Sequence, residues 1–166
     1  ATHLRGCFIT EEIFPFSFKE FLQFHKMDFD PPYSSKQQSM LRHYADRYSK
    51  EGGFPETLFL DESYHLRLIQ GYMDAVIFRD VVERYQIKNI HIVRMFLLHC
   101  LQNIASPLSI SKLYQSFKSQ GQIIGKNTLY EFLDYFTDAY ALFTVPIFDF
   151  SQRKQQVNPK KIYCID

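Results

Sequence analysis

Val93-Arg94-Met95-Phe96-Leu97-Leu98-His99-Cys100-Leu101-Gln102-Asn103-Ile104-Ala105-Ser106-Pro107 is the stretch whose reading decides the fold. Val93, Phe96, Leu97, Cys100, Leu101 and Ile104 recur at threes and fours, so one side of a helix is apolar and has to be covered. Ser106-Pro107 closes it, because proline supplies no amide donor and disfavours helix in the residue before it. Ser109 then caps a second helix with Ile110, Leu113, Tyr114 and Phe117 inward, which stops at Gly121. Asn127 caps a third, carrying Leu129, Phe132, Leu133, Phe136 and Tyr140. The β-rich runs 142–147 and 161–165 follow, on either side of a polar loop. Three short helices with a tight second-to-third connection, then a hairpin, predict a winged helix-turn-helix over 91–166 with a small antiparallel β-wing.

Upstream the pattern is also helical. From Asp61, a suitable N-cap, Leu66, Ile69, Met73, Val76, Ile77, Val81 and Tyr85 keep helical spacing as far as Lys88-Asn89. They predict one long helix or two in line, with Gly71 as the soft point. Gly52-Gly53-Phe54-Pro55-Glu56 separates this from an earlier helix capped by Ser34 or Ser35, with Met40, Leu41, Tyr44 and Tyr48 on one face. Ser17 and Glu20 have capping-box spacing and open a helix of about ten residues that Asp30-Pro31-Pro32-Tyr33 ends. Cys7-Phe8-Ile9 reads as a short strand. The expected class is mainly α (α+β), with a helical bundle and connector leading into the winged helix.

At 166 residues and 46% hydrophobic content the chain can bury a core, which excludes a disordered segment. Its net charge is +1, so no bulk field draws it to nucleic acid or anionic lipid, and any such contact has to come from a local patch. Cys7, Cys100 and Cys164 are odd in number and far apart, which fits reduced cytoplasmic thiols and gives no zinc-ligand spacing. Apolar stretches are broken by charge well short of the roughly 20 residues that cross a bilayer, so no membrane association is expected.

Three further stretches, in order, carry a resemblance. They are Leu4-Arg5-Gly6 with Phe14-Pro15-Phe16-Ser17-Phe18-Lys19-Glu20-Phe21-Leu22, then Gly52-Gly53-Phe54-Pro55-Glu56, then Tyr72-Met73-Asp74-Ala75-Val76-Ile77-Phe78-Arg79-Asp80 running to Arg84-Tyr85. With Asn158-Pro159-Lys160-Lys161-Ile162-Tyr163-Cys164-Ile165-Asp166 as a wing return strand, the chain resembles the back half of prokaryotic AAA-type P-loop ATPases that continue into a domain of unknown function. The resemblance implies a division into the edge of an ATPase core (1–57), a helical connector or lid (58–90) and the winged helix (91–166). It also implies that ATP and Mg are bound by a P-loop domain that precedes this segment. A restriction-endonuclease-like region would follow it, which makes the chain an excised middle with no catalytic residues and no cofactor of its own. Arg5 and Arg79 would then lie near nucleotide. Cys7 stands where such ATPases usually carry arginine, which puts that contact in doubt or moves it to Arg5.

Each site candidate has a plainer reading beside it. Gly121-Gln122-Ile123-Ile124-Gly125-Lys126-Asn127-Thr128 looks like a phosphate loop, but it is one residue short and lacks a hydroxyl after the lysine, so a helix-to-helix turn is preferred. Asp80 and Arg84 stand i,i+4 with the acid first, which is ordinary helix-surface pairing. For the third helix, Tyr130, Glu131, Asp134 and Asp138 face outward, and the acids repel a phosphate backbone. Positive charge sits instead in the turn and wing, at Lys112, Lys118, Lys126, Arg153, Lys154, Lys160 and Lys161, interleaved with Gln152, Gln155, Gln156 and Asn158. Contact of this set with DNA, docking on a protein partner, and self-association through exposed aromatics all stay open. His99-Cys100 is a candidate metal or nucleophile pair, but the stripe position of Cys100 favours an inert buried thiol.

Overall fold

The computed structural model describes residues 11–165, which divide into two compact units, 11–61 and 62–165. The expected strand at Cys7-Phe8-Ile9, Arg5 and the Cys7 departure lie outside the described residues.

In the first unit, α1 (Phe18–Phe24) begins at Ser17, whose side chain and that of Glu20 exchange bonds across the first turn as a capping box. α2 (Ser35–Glu51) starts from Ser34 rather than Ser35, because Gln37, three residues on, completes a second box there. A 3₁₀ turn spans Pro55–Phe59. Phe21 is fully buried, edge-on to Tyr48 at 5.1 Å and to His25 at 4.6 Å. The Phe16 amide donates to the Gly53 carbonyl (2.7 Å), and the Tyr48 hydroxyl donates to the Phe16 carbonyl (2.6 Å). A Cβ added to Gly53 would stand 2.4 Å from the Phe16 carbonyl oxygen, so the close approach of the two chain segments requires glycine here.

The second unit opens with α3 (Glu62–Ala75), directly after Asp61, and passes into a π-helical stretch over Val76–Glu83. The change of winding falls at Val76, not at the expected soft point Gly71, where an added Cβ would meet nothing. Val76-Ile77 and Val81-Val82 are two β-branched pairs, stiff at χ1 and crowded at i,i+4. Ile77 and Val81 are buried on this stretch. After a break at 86–89, Asn89 caps α4 (Ile90–Gln102), a role its place at the end of the preceding pattern concealed.

Beyond α4 come β1 (Pro107–Leu108), α5 (Ile110–Ser119), α6 (Lys126–Asp138), β2 (Leu142–Val145), α7 (Gln152–Val157) and β3 (Lys160–Cys164). Ser109 caps α5 as expected. Gly125, in extended conformation, precedes α6, and Asn127 lies within the first turn instead of capping it. The three strands form one antiparallel sheet in the order β1-β3-β2. β1 and α7 were hidden in the sequence, β1 by its two-residue length and α7 by the polar composition of the loop that holds it. The chain is mainly helical with this small sheet, an α+β fold.

One core holds the second unit together. Phe96 of α4 stacks on Phe136 of α6 at 6.1 Å and meets Phe132 edge-on at 5.9 Å. Leu142 and Ile162 close that core from the sheet, and Ile77 and Val81 enter it from the π-helical stretch. Residues 76–85, expected to belong to a separate connector, therefore share their apolar interior with 91–165. Each such side chain contributes about 1.5–3 kcal/mol when fully buried, which exceeds the cost of ordering it.

Candidate interface

The expected basic residues are all exposed and are spread over four elements. Lys112 and Lys118 are six residues apart on α5, about 120° around its axis from each other. Lys126 is the first residue of α6. Arg153, Lys154, Lys160 and Lys161 are gathered on α7 and the start of β3. Lys154 stands 3.5 Å from Asp149, whose other carboxylate oxygen accepts from the Ser151 amide at 2.8 Å. Asp149 is thereby engaged locally, and Arg153, Lys160 and Lys161 remain exposed beside it in the chain.

The same segment carries apolar groups on its outside. Register sets Phe143 opposite Tyr163 and Val145 opposite Lys161, while Leu142 and Ile162, on the alternate positions, point to the core. Beyond the sheet, Phe148 and Phe150 are 85% and 95% exposed, with their rings 5.5 Å apart and inclined at 70°. Exposed rings this large are the feature that reading basic residues alone missed. The alternation through Phe143, Val145, Ile147 and the Phe148-Asp149-Phe150 run was the available signal.

α6 presents Tyr130, Glu131, Asp134 and Asp138 to solvent, as expected. One flank of it is tied to the upstream helix: Tyr85 stacks on Tyr135 at 3.6 Å, nearly parallel, and its hydroxyl donates to Asp138 at 2.9 Å. Burial, then this bond, pushes the Tyr85 phenol above its ordinary value. A cleft of about 340 Å³ opens beside this tie, with Tyr85, Asn89, Gly125, Thr128, Glu131 and Tyr135 in its wall.

Arg84 does not pair with Asp80. Its guanidinium lies over the Tyr85 ring at 5.3 Å instead. Arg79 is exposed on the same stretch. The ion pair that the sequence reading missed is Arg94 to Asp74 at 2.8 Å, with the Arg94 guanidinium also 4.9 Å from the Phe78 ring centre. Asp74 and Phe78 are i,i+4 on one face of α3 and its continuation, so a single arginine of α4 engages both.

Gly121 has φ +76° at the end of α5, and the phosphate-loop lookalike is the connection between α5 and α6. Cys100 is fully buried, and burial pushes its thiol up to about 12, which suppresses the nucleophilic thiolate. Burial lowers the pKa of the neighbouring His99. Among the described residues, no cluster of three or more His, Cys, Asp or Glu could hold a metal ion, and no helix is long and apolar enough to cross a membrane.

No solved structure matches the chain. An uncharacterized protein of Methanocaldococcus jannaschii is 35% identical over the whole of this chain, which spans 37% of that relative. An uncharacterized protein of Haemophilus influenzae is 25% identical, with 100% of this chain and 40% of the relative covered. The chain thus spans about two fifths of the length of these curated relatives. The profile of the domain of unknown function DUF8612 matches residues 42–166, and the chain belongs to that family.

Proposed function

We propose that residues 91–165 are a winged helix, and that the chain is the coupling segment of an AAA-type ATPase, carrying the effect of ATP turnover elsewhere in the protein to DNA held at the wing. The element order from α4 to β3, the antiparallel β1-β3-β2 sheet and the short α5–α6 connection support the winged helix. ATP and Mg belong, on this reading, to a P-loop domain outside the chain. The resemblance of 14–22, 52–56 and 72–85 supports that half, and relatives more than twice as long leave room for it.

The observation that carries the coupling is the shared core. Ile77 and Val81 pack with Phe96 and Phe136, and the Arg94–Asp74 and Tyr85–Asp138 ties fix the same helix to α4 and α6. A displacement of that helix cannot leave the wing behind. Arg79, exposed on it, is the residue that would meet the nucleotide domain, as Arg5 would by resemblance.

The acidic α6 argues against groove entry by the third helix and in favour of contact led by Arg153, Lys154, Lys160 and Lys161. The second reading is a non-enzymatic winged-helix regulator that binds DNA without any nucleotide cycle. Docking of the acidic α6 on a protein is the outcome if DNA is not bound at all.

Duplex DNA titrated into the chain at two salt concentrations tests the contact. Log affinity should fall against log salt with a slope of roughly −0.9 per phosphate neutralised. ATP turnover by the whole protein, measured with and without DNA, separates the first two readings. Turnover indifferent to DNA that nevertheless binds with that slope would leave the regulator.

A further inference from the structure

We infer that the outer face of the β2–β3 ribbon and the tip that follows it form a stacking site for single-stranded nucleic acid. This rests on the reading of the wing as a DNA contact and narrows it to unpaired strands.

Antiparallel pairing puts directly opposed residues on one side of the sheet. Leu142 and Ile162 lie on the buried side, so the pairs Phe143–Tyr163 and Val145–Lys161 lie on the other. Tyr163, Val145 and Lys161 are exposed there. The tip continues the surface with Phe148 and Phe150, whose rings are inclined to one another and leave most of their area to solvent. An exposed phenylalanine gains nothing from water, and two within three residues are a contact awaiting a flat apolar partner.

Charge says what that partner carries. Arg153, Lys154, Lys160 and Lys161 follow the rings in the chain and are all exposed, and Asp149, between the rings, is already engaged by the Ser151 amide and Lys154. Gln152 and Gln156, also exposed, offer amide groups that suit base edges and phosphate oxygens. Aromatic platforms inside a positive surface fit a single strand, whose bases offer free π faces beside a regular row of phosphates. A duplex offers the phosphates but keeps those faces stacked. A lipid surface would reward an extended apolar helix face, and α7 is six residues long and almost wholly polar. A second copy would bring the same four cations against these.

The test uses the chain with oligothymidylate of about 20 nucleotides, longer than the roughly 4–16 that a small binding fold covers, beside a duplex of equal length. Fluorescence anisotropy should show the single strand bound at least about tenfold more tightly than the duplex. Replacing both Phe148→Ala and Phe150→Ala should cost about tenfold or more on the single strand and less than about twofold on the duplex. Lys160→Gln with Lys161→Gln should flatten the single-strand salt slope by about 0.7 for each phosphate that is no longer neutralised. All four side chains are exposed, so circular dichroism should show these variants folded.

Equal affinity for the two oligonucleotides, or no effect of the phenylalanine pair, overturns the stacking site while leaving a wing that binds duplex. No binding to either overturns both readings. Binding to vesicles of phosphatidylcholine with phosphatidylserine but to no oligonucleotide, or a concentration-dependent mass that the phenylalanine variant abolishes, reassigns the surface to lipid or to a second copy.

Discussion

Tyr85 is the place where the coupling can be measured. Its ring covers Tyr135 at 3.6 Å and its hydroxyl bonds to Asp138 at 2.9 Å, so Tyr85→Phe removes the bond and keeps the stack. Asp138 is exposed and regains water, which holds the loss near the common value for one hydrogen bond, about 1 kcal/mol, and below that of a buried charged pair. Tyr85→Leu removes the stack too and should cost about 1 kcal/mol more. Urea unfolding followed by far-ultraviolet circular dichroism at neutral pH gives both values. A double-mutant cycle of Tyr85→Phe with Asp138→Ala isolates the bond, and its coupling energy should be about 0.5–1 kcal/mol. The phenol is raised in the folded chain, so its contribution is whole below the unfolded tyrosine pKa, roughly 10, and is lost as pH rises through the folded value. A coupling energy below about 0.3 kcal/mol would refute the Tyr85–Asp138 bond as a tie between α6 and the upstream helix, leaving only their shared core.

Two glycines should respond with opposite signs. Gly53→Ala places a methyl 2.4 Å from a carbonyl oxygen and should destabilise the first unit by about 1–3 kcal/mol, whereas Gly71→Ala fills open space in a helix interior and should stabilise by about 0.5–1 kcal/mol, both read by urea unfolding. His25 is lowered by burial first and then by the Arg47 charge, so its contribution is present above the unfolded histidine pKa, roughly 6.5, and is lost as pH falls through the folded value; His25→Gln should flatten that part of the stability profile.

What the sequence made legible depends on how each element is stabilised. α4 and α5 could be read because an apolar stripe and a hydroxyl cap specify them locally, at Phe96, Cys100, Leu113 and Ser109. β1 could not, because two residues hold no period. It exists only because Pro107 and Leu108 lie beside Lys161 and Lys160, more than fifty residues away. The π winding at Val76 was equally hidden, because no local periodicity marks it in the sequence. Arg94 shows the same limit at the level of the site. In sequence it interrupts an apolar stripe, and its meaning appears only when Asp74 and Phe78 arrive from another helix.

The candidate chemistry of the β2–β3 ribbon was half legible for a related reason. Lysine and arginine declare themselves wherever they stand, because little else explains a cluster of them, whereas a phenylalanine is read by default as core. Phe136 and Phe148 cannot be told apart by composition, yet one is fully buried and the other 85% exposed. The difference comes from register: Leu142 and Ile162 commit one face of the ribbon to the core, while Tyr163 on the opposite face and Phe148 and Phe150 past the end of β2 are exposed. A contact surface made this way follows necessarily from the buried one. Changing which strand residues face inward would invert the ribbon's exterior as well, so fold and candidate contact depend on a single alternation.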